Sequence, residues 1–126
     1  MLALAACGSS DPKITSIAIN PTHARPIEHI TMTLGVENFT LDFVDPSSVH
    51  ALRAAHEGED EEGHVHVYFD NLDSNPLVQT ASTSFSIGVP GDATPGAHKL
   101  IARLHSGDHL ILEPQVTAEV TLTVDP

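Results

Sequence analysis

The chain has 126 residues, enough for one domain with a real core, and carries 17 acidic against 5 basic residues, a net charge of −12. That balance excludes nucleic acid as a partner and disfavours an anionic membrane surface, because both need clustered Lys and Arg. Nine histidines, no Trp, frequent Thr, Val and Ile, and Pro and Gly scattered between short apolar runs point to an all-β domain.

The chain begins Met1-Leu2-Ala3-Leu4-Ala5-Ala6-Cys7-Gly8-Ser9-Ser10, the character of the end of a secretory signal. Leu4-Ala5-Ala6-Cys7 resembles the bacterial lipobox, whose cysteine is lipidated and becomes the mature N-terminus. The resemblance implies lipidation at Cys7 and a domain tethered to a lipid bilayer in the bacterial cell envelope, either periplasmic or surface-exposed. Residues 1–12 then form the signal remnant and tether, and residues 13–126 a single domain. Cys7 is the only cysteine, so no intrachain disulfide can form. No other apolar run approaches the roughly 18 residues of a membrane-spanning helix.

Lys13 to Ile19 alternates Ile14, Ser16 and Ala18 against Thr15, Ile17 and Ile19, and predicts a first strand ended by Asn20-Pro21. Thr22 to Glu28 reads as irregular or as a sheet edge. His29 to Thr40 predicts a strong strand with Ile30, Met32, Leu34 and Val36 on one face. A bulge at Glu37-Asn38 then precedes Phe39, Leu41 and Phe43. After Asp45-Pro46, Ser47 to His56 has a serine cap and helix formers, compatible with a helical turn or two in a long loop. Glu57 to Glu62 is an acidic run, which either stays solvated and mobile, supplements a histidine site or holds a hard cation.

Gly63-His64-Val65-His66-Val67-Tyr68-Phe69-Asp70 alternates strictly. Val65, Val67 and Phe69 share one face of a strand; His64, His66 and Tyr68 share the other. At about 3.3 Å rise per residue the two imidazoles stand roughly 7 Å apart, within reach of one transition metal. Further strands are predicted at Leu77–Thr80, short and at a sheet edge, and at Thr83–Val89, Ala97–His105 and Thr117–Val124. The short apolar stretch Leu110–Glu113 lies between the last two.

About seven or eight short strands separated by turns point to an antiparallel β-sandwich. Pro95-Gly96-Ala97-His98 resembles the corner before the sixth strand of immunoglobulin-like domains, with His98 where those domains place a tyrosine. The resemblance implies an immunoglobulin-like sandwich in which the His64–Phe69 and Ala97–His105 strands are antiparallel neighbours. His64 and His66 then approach His105 and, in the turn beyond, His109. If Leu100, Ala102 and Leu104 face the core, Arg103 and His105 lie on the side of His64 and His66. His98 either makes a corner hydrogen bond or joins the ligands.

Convergent neutral imidazoles suit copper, zinc or nickel. The metal set expected here is His64, His66 and His109, completed by His105 or His98, with a copper or zinc ion as the ligand. His64-Val65-His66 is also similar to the His-Val-His of copper/zinc superoxide dismutases, but no bridging-histidine loop, later zinc ligands or disulfide cysteines accompany it, and dismutase activity is not expected. Val36 to Leu41, Gly63 to Asp70, Pro95 to His98 and Asp108-His109 together resemble a group of small bacterial lipoproteins with a histidine-containing immunoglobulin-like domain. That group implies an envelope location and a sandwich and no particular activity. No nucleophile elbow, phosphate loop or carboxylate pair marks an enzyme. The alternative to metal binding is a lipid-anchored adhesion or scaffold module that engages an envelope protein through its loops or a sheet face.

Overall fold

The computed structural model describes residues 11–41, 62–106, 111–112 and 115–126. Cys7 and its lipobox, the Ser47–His56 segment, most of the acidic run, and His109 lie outside the described residues. Among the described residues there is no helix. The strands are β1 (Lys13–Asn20), β2 (His23–Ala24), β3 (His29–Glu37), β4 (Thr40–Leu41), β5 (Glu62–Phe69), β6 (Val78–Thr80), β7 (Ser84–Gly88), β8 (Gly96–Ser106) and β9 (Thr117–Val124). They form a β-sandwich of a three-stranded sheet, β1-β3-β7, and a six-stranded sheet, β2-β9-β8-β5-β4, in which β6 also pairs with β5.

The residues of the apolar core in β3, β5, β8 and β9 are those that alternation assigns to one face. Ile30, Met32 and Leu34 of β3 and Ile87 of β7 pack with Val65 and Val67 of β5, Leu100, Ala102 and Leu104 of β8, and Leu122 and Val124 of β9. The first strand departs from simple alternation. Ile14, Ile17 and Ile19 are its more buried positions, because the β1–β3 register shifts between Ile14 and Ser16. One extra residue at this bulge lets Ile14 and Ile17 turn to the same side. Gly35 on β3 makes room for it: a Cβ there would stand 2.6 Å from the hydroxyls of Thr15 and Ser16.

Glu37-Asn38, expected as a bulge within one strand, is instead where β3 ends and the chain changes sheets. β3 belongs to the smaller sheet, and Asn38, with φ of 61°, turns the chain so that β4 runs parallel to the start of β5. Asn tolerates this left-handed conformation better than most residues. Ile27 has φ of 67° without that tolerance, and its side chain is 75% exposed. It sits in a tight turn in which its amide donates to the Val89 carbonyl at 2.9 Å and Val89 donates back to Glu28 at 2.9 Å. The segment read as irregular contributes the short parallel pair of β2 with β9. The apolar stretch near Leu110 contributes one isolated bridge, between His105 and Ile111.

The central pair for function is β5 with β8. It is antiparallel, with His64 opposite His105, His66 opposite Arg103, Val67 opposite Ala102 and Tyr68 opposite Ile101. The expected neighbour relation and parity therefore hold. Gly63 lets the two strands close at this end. A Cβ on Gly63 would overlap the His105 carbonyl oxygen and stand 2.8 Å from the Ser106 Cα.

Candidate functional site

The histidines of β5 and β8 fall at two ends of β8 and on opposite faces of its sheet, a cluster at one end and His98 at the other. At one end β5 supplies His64, His66 and Tyr68, and β8 supplies Arg103 and His105, all on the face away from the apolar core. The sequence places these side chains on a surface, and the structure buries them: His64 is 1% exposed, His66 6%, His105 4%, Tyr68 4% and Arg103 8%. The correction has a physical consequence. Buried polar groups must be paired to offset their lost hydration.

The pairing runs through the tyrosine. Its Oη lies 3.2 Å from His66 Nδ1, 3.2 Å from His105 Nε2 and 3.2 Å from Arg103 Nη2. Arg103 Nε also donates to His105 Nε2 at 3.2 Å, and Nη1 donates to Gln115 Oε1 at 3.3 Å. The guanidinium carbon stands 5.0 Å from the centre of the Tyr68 ring. The His66 and His105 rings stack with centroids 3.8 Å apart and planes 17° apart, and His64 leans on His66 at 4.9 Å.

Donor counting assigns the protons. Arginine can only donate, so His105 Nε2 and Tyr68 Oη both accept from it. The His105 Nε2 lone pair is then used, and the Tyr68 hydroxyl proton goes to His66 Nδ1. Both imidazoles accept through one nitrogen and are therefore neutral in this arrangement, the form that binds metals. Among the described residues no carboxylate pairs with Arg103, whose acceptors are all neutral groups. Also among the described residues, no three His, Cys, Asp or Glu side chains are arranged as they stand to hold a metal ion.

No family model, curated protein or solved structure matches the chain. The reading of the site therefore rests on its chemistry.

His98 does not join this cluster. It lies roughly 23 Å along β8 from His105, on the core side, stacked on Phe69 at 4.8 Å. Its Nδ1 donates to Asp70 Oδ2 at 2.8 Å and its Nε2 to the Thr94 carbonyl at 2.6 Å. The second contact is the corner hydrogen bond that the position of His98 after Pro95-Gly96 leads one to expect. A carboxylate and a carbonyl both only accept, so both ring nitrogens carry protons and His98 is an imidazolium. The hydrogen bond to Asp70 and then that to Thr94 raise its pKa from the ordinary 6.5. On Asp70, desolvation pushes the pKa up, but hydrogen bonds from His98 and the Lys99 amide, with their charges, bring it below the ordinary 3.8. Asp70 has φ of 71° and accepts from Lys99 N through Oδ1 at 3.0 Å, so its strained backbone is tied down by the same contacts. An open hollow of about 320 Å³ lies here, lined by Asp70, Ala97, His98, Lys99 and Thr121.

Of the predicted ligands the structure thus brings His64, His66 and His105 together, separates His98, and leaves His109 outside the described residues. His23 and His29 are exposed, and His23 meets Asp125 at 2.9 Å. Sequence reasoning placed Tyr68 and Arg103 on the histidine face but gave neither a role in the site. The signal was available: both fall on the histidine face by the same alternation that grouped the imidazoles. Asp70 carried no comparable signal.

Proposed function

We propose that the protein is an envelope lipoprotein domain that binds a copper or zinc ion through the histidine cluster of β5 and β8, for capture or delivery rather than catalysis. The observation that carries this reading is the grouping of His64, His66 and His105 on one sheet face, with His66 and His105 neutral by donor counting. Three imidazoles and a phenol oxygen form a nitrogen-rich donor set suited to these borderline metals. Ligation requires the stacked rings of His66 and His105 to turn from their present contact. His109 is the further ligand this reading includes. Lipidation at Cys7, an anchor in the bilayer and a periplasmic or cell-surface location are supported by the lipobox-like Leu4-Ala5-Ala6-Cys7.

An immunoglobulin-like arrangement is part of the same reading. Its support is the strand order β1-β3-β7 against β2-β9-β8-β5, the parallel β2–β9 pair and the His98 corner. A second reading, a non-metal adhesion or scaffold module, is favoured by one observation. The cluster is buried and hydrogen-bonded within itself, as a polar core that specifies packing would be.

Elemental analysis separates them. The purified protein is loaded with copper or zinc, passed through gel filtration and assayed for retained metal. About one equivalent, lost in a His64→Ala/His66→Ala double variant of unchanged fold, is the expected result. No retained metal would sink the metal reading and leave the interaction module.

A further inference from the structure

Resting on the metal reading above, we propose that Arg103 is an internal cation that competes with the metal for this cluster, so that metal binds only as the guanidinium swings away. Arg103 thereby sets the affinity of the site.

His105 Nε2 accepts from Arg103 Nε at 3.2 Å. A metal on Nε2 would take the lone pair that receives this hydrogen bond. A metal on Nδ1 of the same neutral ring would leave the proton on Nε2, and two N–H groups would then face each other. Whichever nitrogen of His105 ligates, the present Arg103 contact is lost.

Charge points the same way. Arg103 is buried, stands over the Tyr68 ring, and has no carboxylate partner among the described residues. Arginine keeps its charge under any ordinary condition. A dication arriving beside a guanidinium that has no carboxylate partner among the described residues is repelled, and the repulsion is strong where water is excluded. Among the described residues the guanidinium is held by neutral acceptors, His105, Tyr68 and Gln115. A ligand that removes two of these acceptors removes most of what holds it.

The test uses the full chain and titrates Zn(II) against a chromophoric chelator for wild type, Arg103→Gln and Arg103→Lys. Arg103→Gln removes the charge at similar length and should bind Zn(II) on the order of tenfold more tightly, the scale of one hydrogen bond to a charged group. Arg103→Lys keeps the charge and should remain near wild type. On the wild-type protein, the Arg103 Nε–H resonance should shift on saturation with Zn(II). That measurement carries the test if Arg103→Gln melts before it can be titrated.

If wild type binds Zn(II) and Arg103→Gln binds no tighter, or if the Nε–H resonance of the saturated wild type is unmoved, the competition is wrong and metal binding stands. If neither wild type nor either variant binds Zn(II) or Cu(II), metal binding itself is wrong and the competition goes with it. Tight binding by Arg103→Gln alone supports the competition in its strongest form.

Discussion

Tyr68 Oη and His105 Nε2 stand 3.2 Å apart, both accepting from Arg103, although neither residue is the other's partner across the strands. Tyr68 stands opposite Ile101, and His105 opposite His64. The phenol must lie along the sheet toward the His64 end to make the contact, in keeping with the way strand side chains lean along the strand. One hydroxyl thereby joins His66 of β5 to Arg103 of β8, and Arg103 carries the link on to His105. The cluster is organised around a side chain whose ring is apolar and whose tip is polar, a combination suited to a buried polar network.

Removal of that hydroxyl should therefore be felt well beyond one contact. Tyr68→Phe keeps the ring and takes away the hydrogen bonds that the hydroxyl makes to His66 Nδ1 and Arg103 Nη2. Leaving buried polar groups unsatisfied costs about 1–3 kcal/mol. Equilibrium urea unfolding should show a loss in that range with an unchanged slope. A variant as stable as wild type would mean that the hydroxyl is dispensable to the network.

Two glycines should respond differently to the same added methyl. At Gly63 the new Cβ meets backbone, the His105 carbonyl and the Ser106 Cα. Backbone cannot rotate away, so β5 and β8 must part beside the cluster, and Gly63→Ala should cost about 1–3 kcal/mol or more. At Gly35 the new Cβ meets the ends of the Thr15 and Ser16 side chains. These hydroxyls can turn, and Gly35→Ala should cost less than Gly63→Ala in parallel melts. The reverse order would contradict the close β5–β8 approach.

The Asp70–His98 pair should give stability a pH window. His98 has a raised pKa in the folded chain, so its contribution is complete below its unfolded value of 6.5 and is lost as pH rises through the folded value. Asp70 has a lowered pKa, so its contribution is complete above its unfolded value of 3.8 and is lost as pH falls through the folded value. The pair thus stabilises most between these two unfolded values. Melting temperature followed across pH should fall on both sides, and in His98→Gln the fall on the alkaline side should flatten. Metal retention, by contrast, should be the same in His98→Gln as in wild type, because His98 lies on the other face and at the other end of β8. A loss of metal in that variant would contradict the separation.

Ile27 offers a stabilising change. A β-branched residue with φ of 67° pays for a left-handed conformation, and at 75% exposure it recovers little by packing. Ile27→Asn should stabilise the chain by about 1 kcal/mol, since Asn accepts that conformation readily. Thermal unfolding decides it; a lower melting temperature would show that the exposed isoleucine makes a contact that matters.

What the sequence determined by itself was the pattern along each strand. Alternation in Gly63–Phe69 and Ala97–His105 assigned Val65, Val67, Leu100, Ala102 and Leu104 to the core and the histidines to the opposite face, because a pleated chain offers only two faces. For His98 the sequence left two roles open, a corner hydrogen bond implied by the resemblance of Pro95-Gly96-Ala97-His98 to an immunoglobulin-like corner and a place among the ligands, and the contact with the Thr94 carbonyl chose between them. The β1 bulge was not legible, since it depends on which hydroxyls Gly35 of a different strand can receive. Nor was the burial of the histidine face: alternation separates one side of a sheet from the other but does not say which is covered. Tertiary structure alone decided that Tyr68 reaches past its own partner to His105, that Arg103 takes the His105 lone pair, and that Asp70 waits for His98 on a strand many residues later. Those contacts join positions distant in sequence, and their distances come from strand register and side-chain reach, which local patterning does not specify.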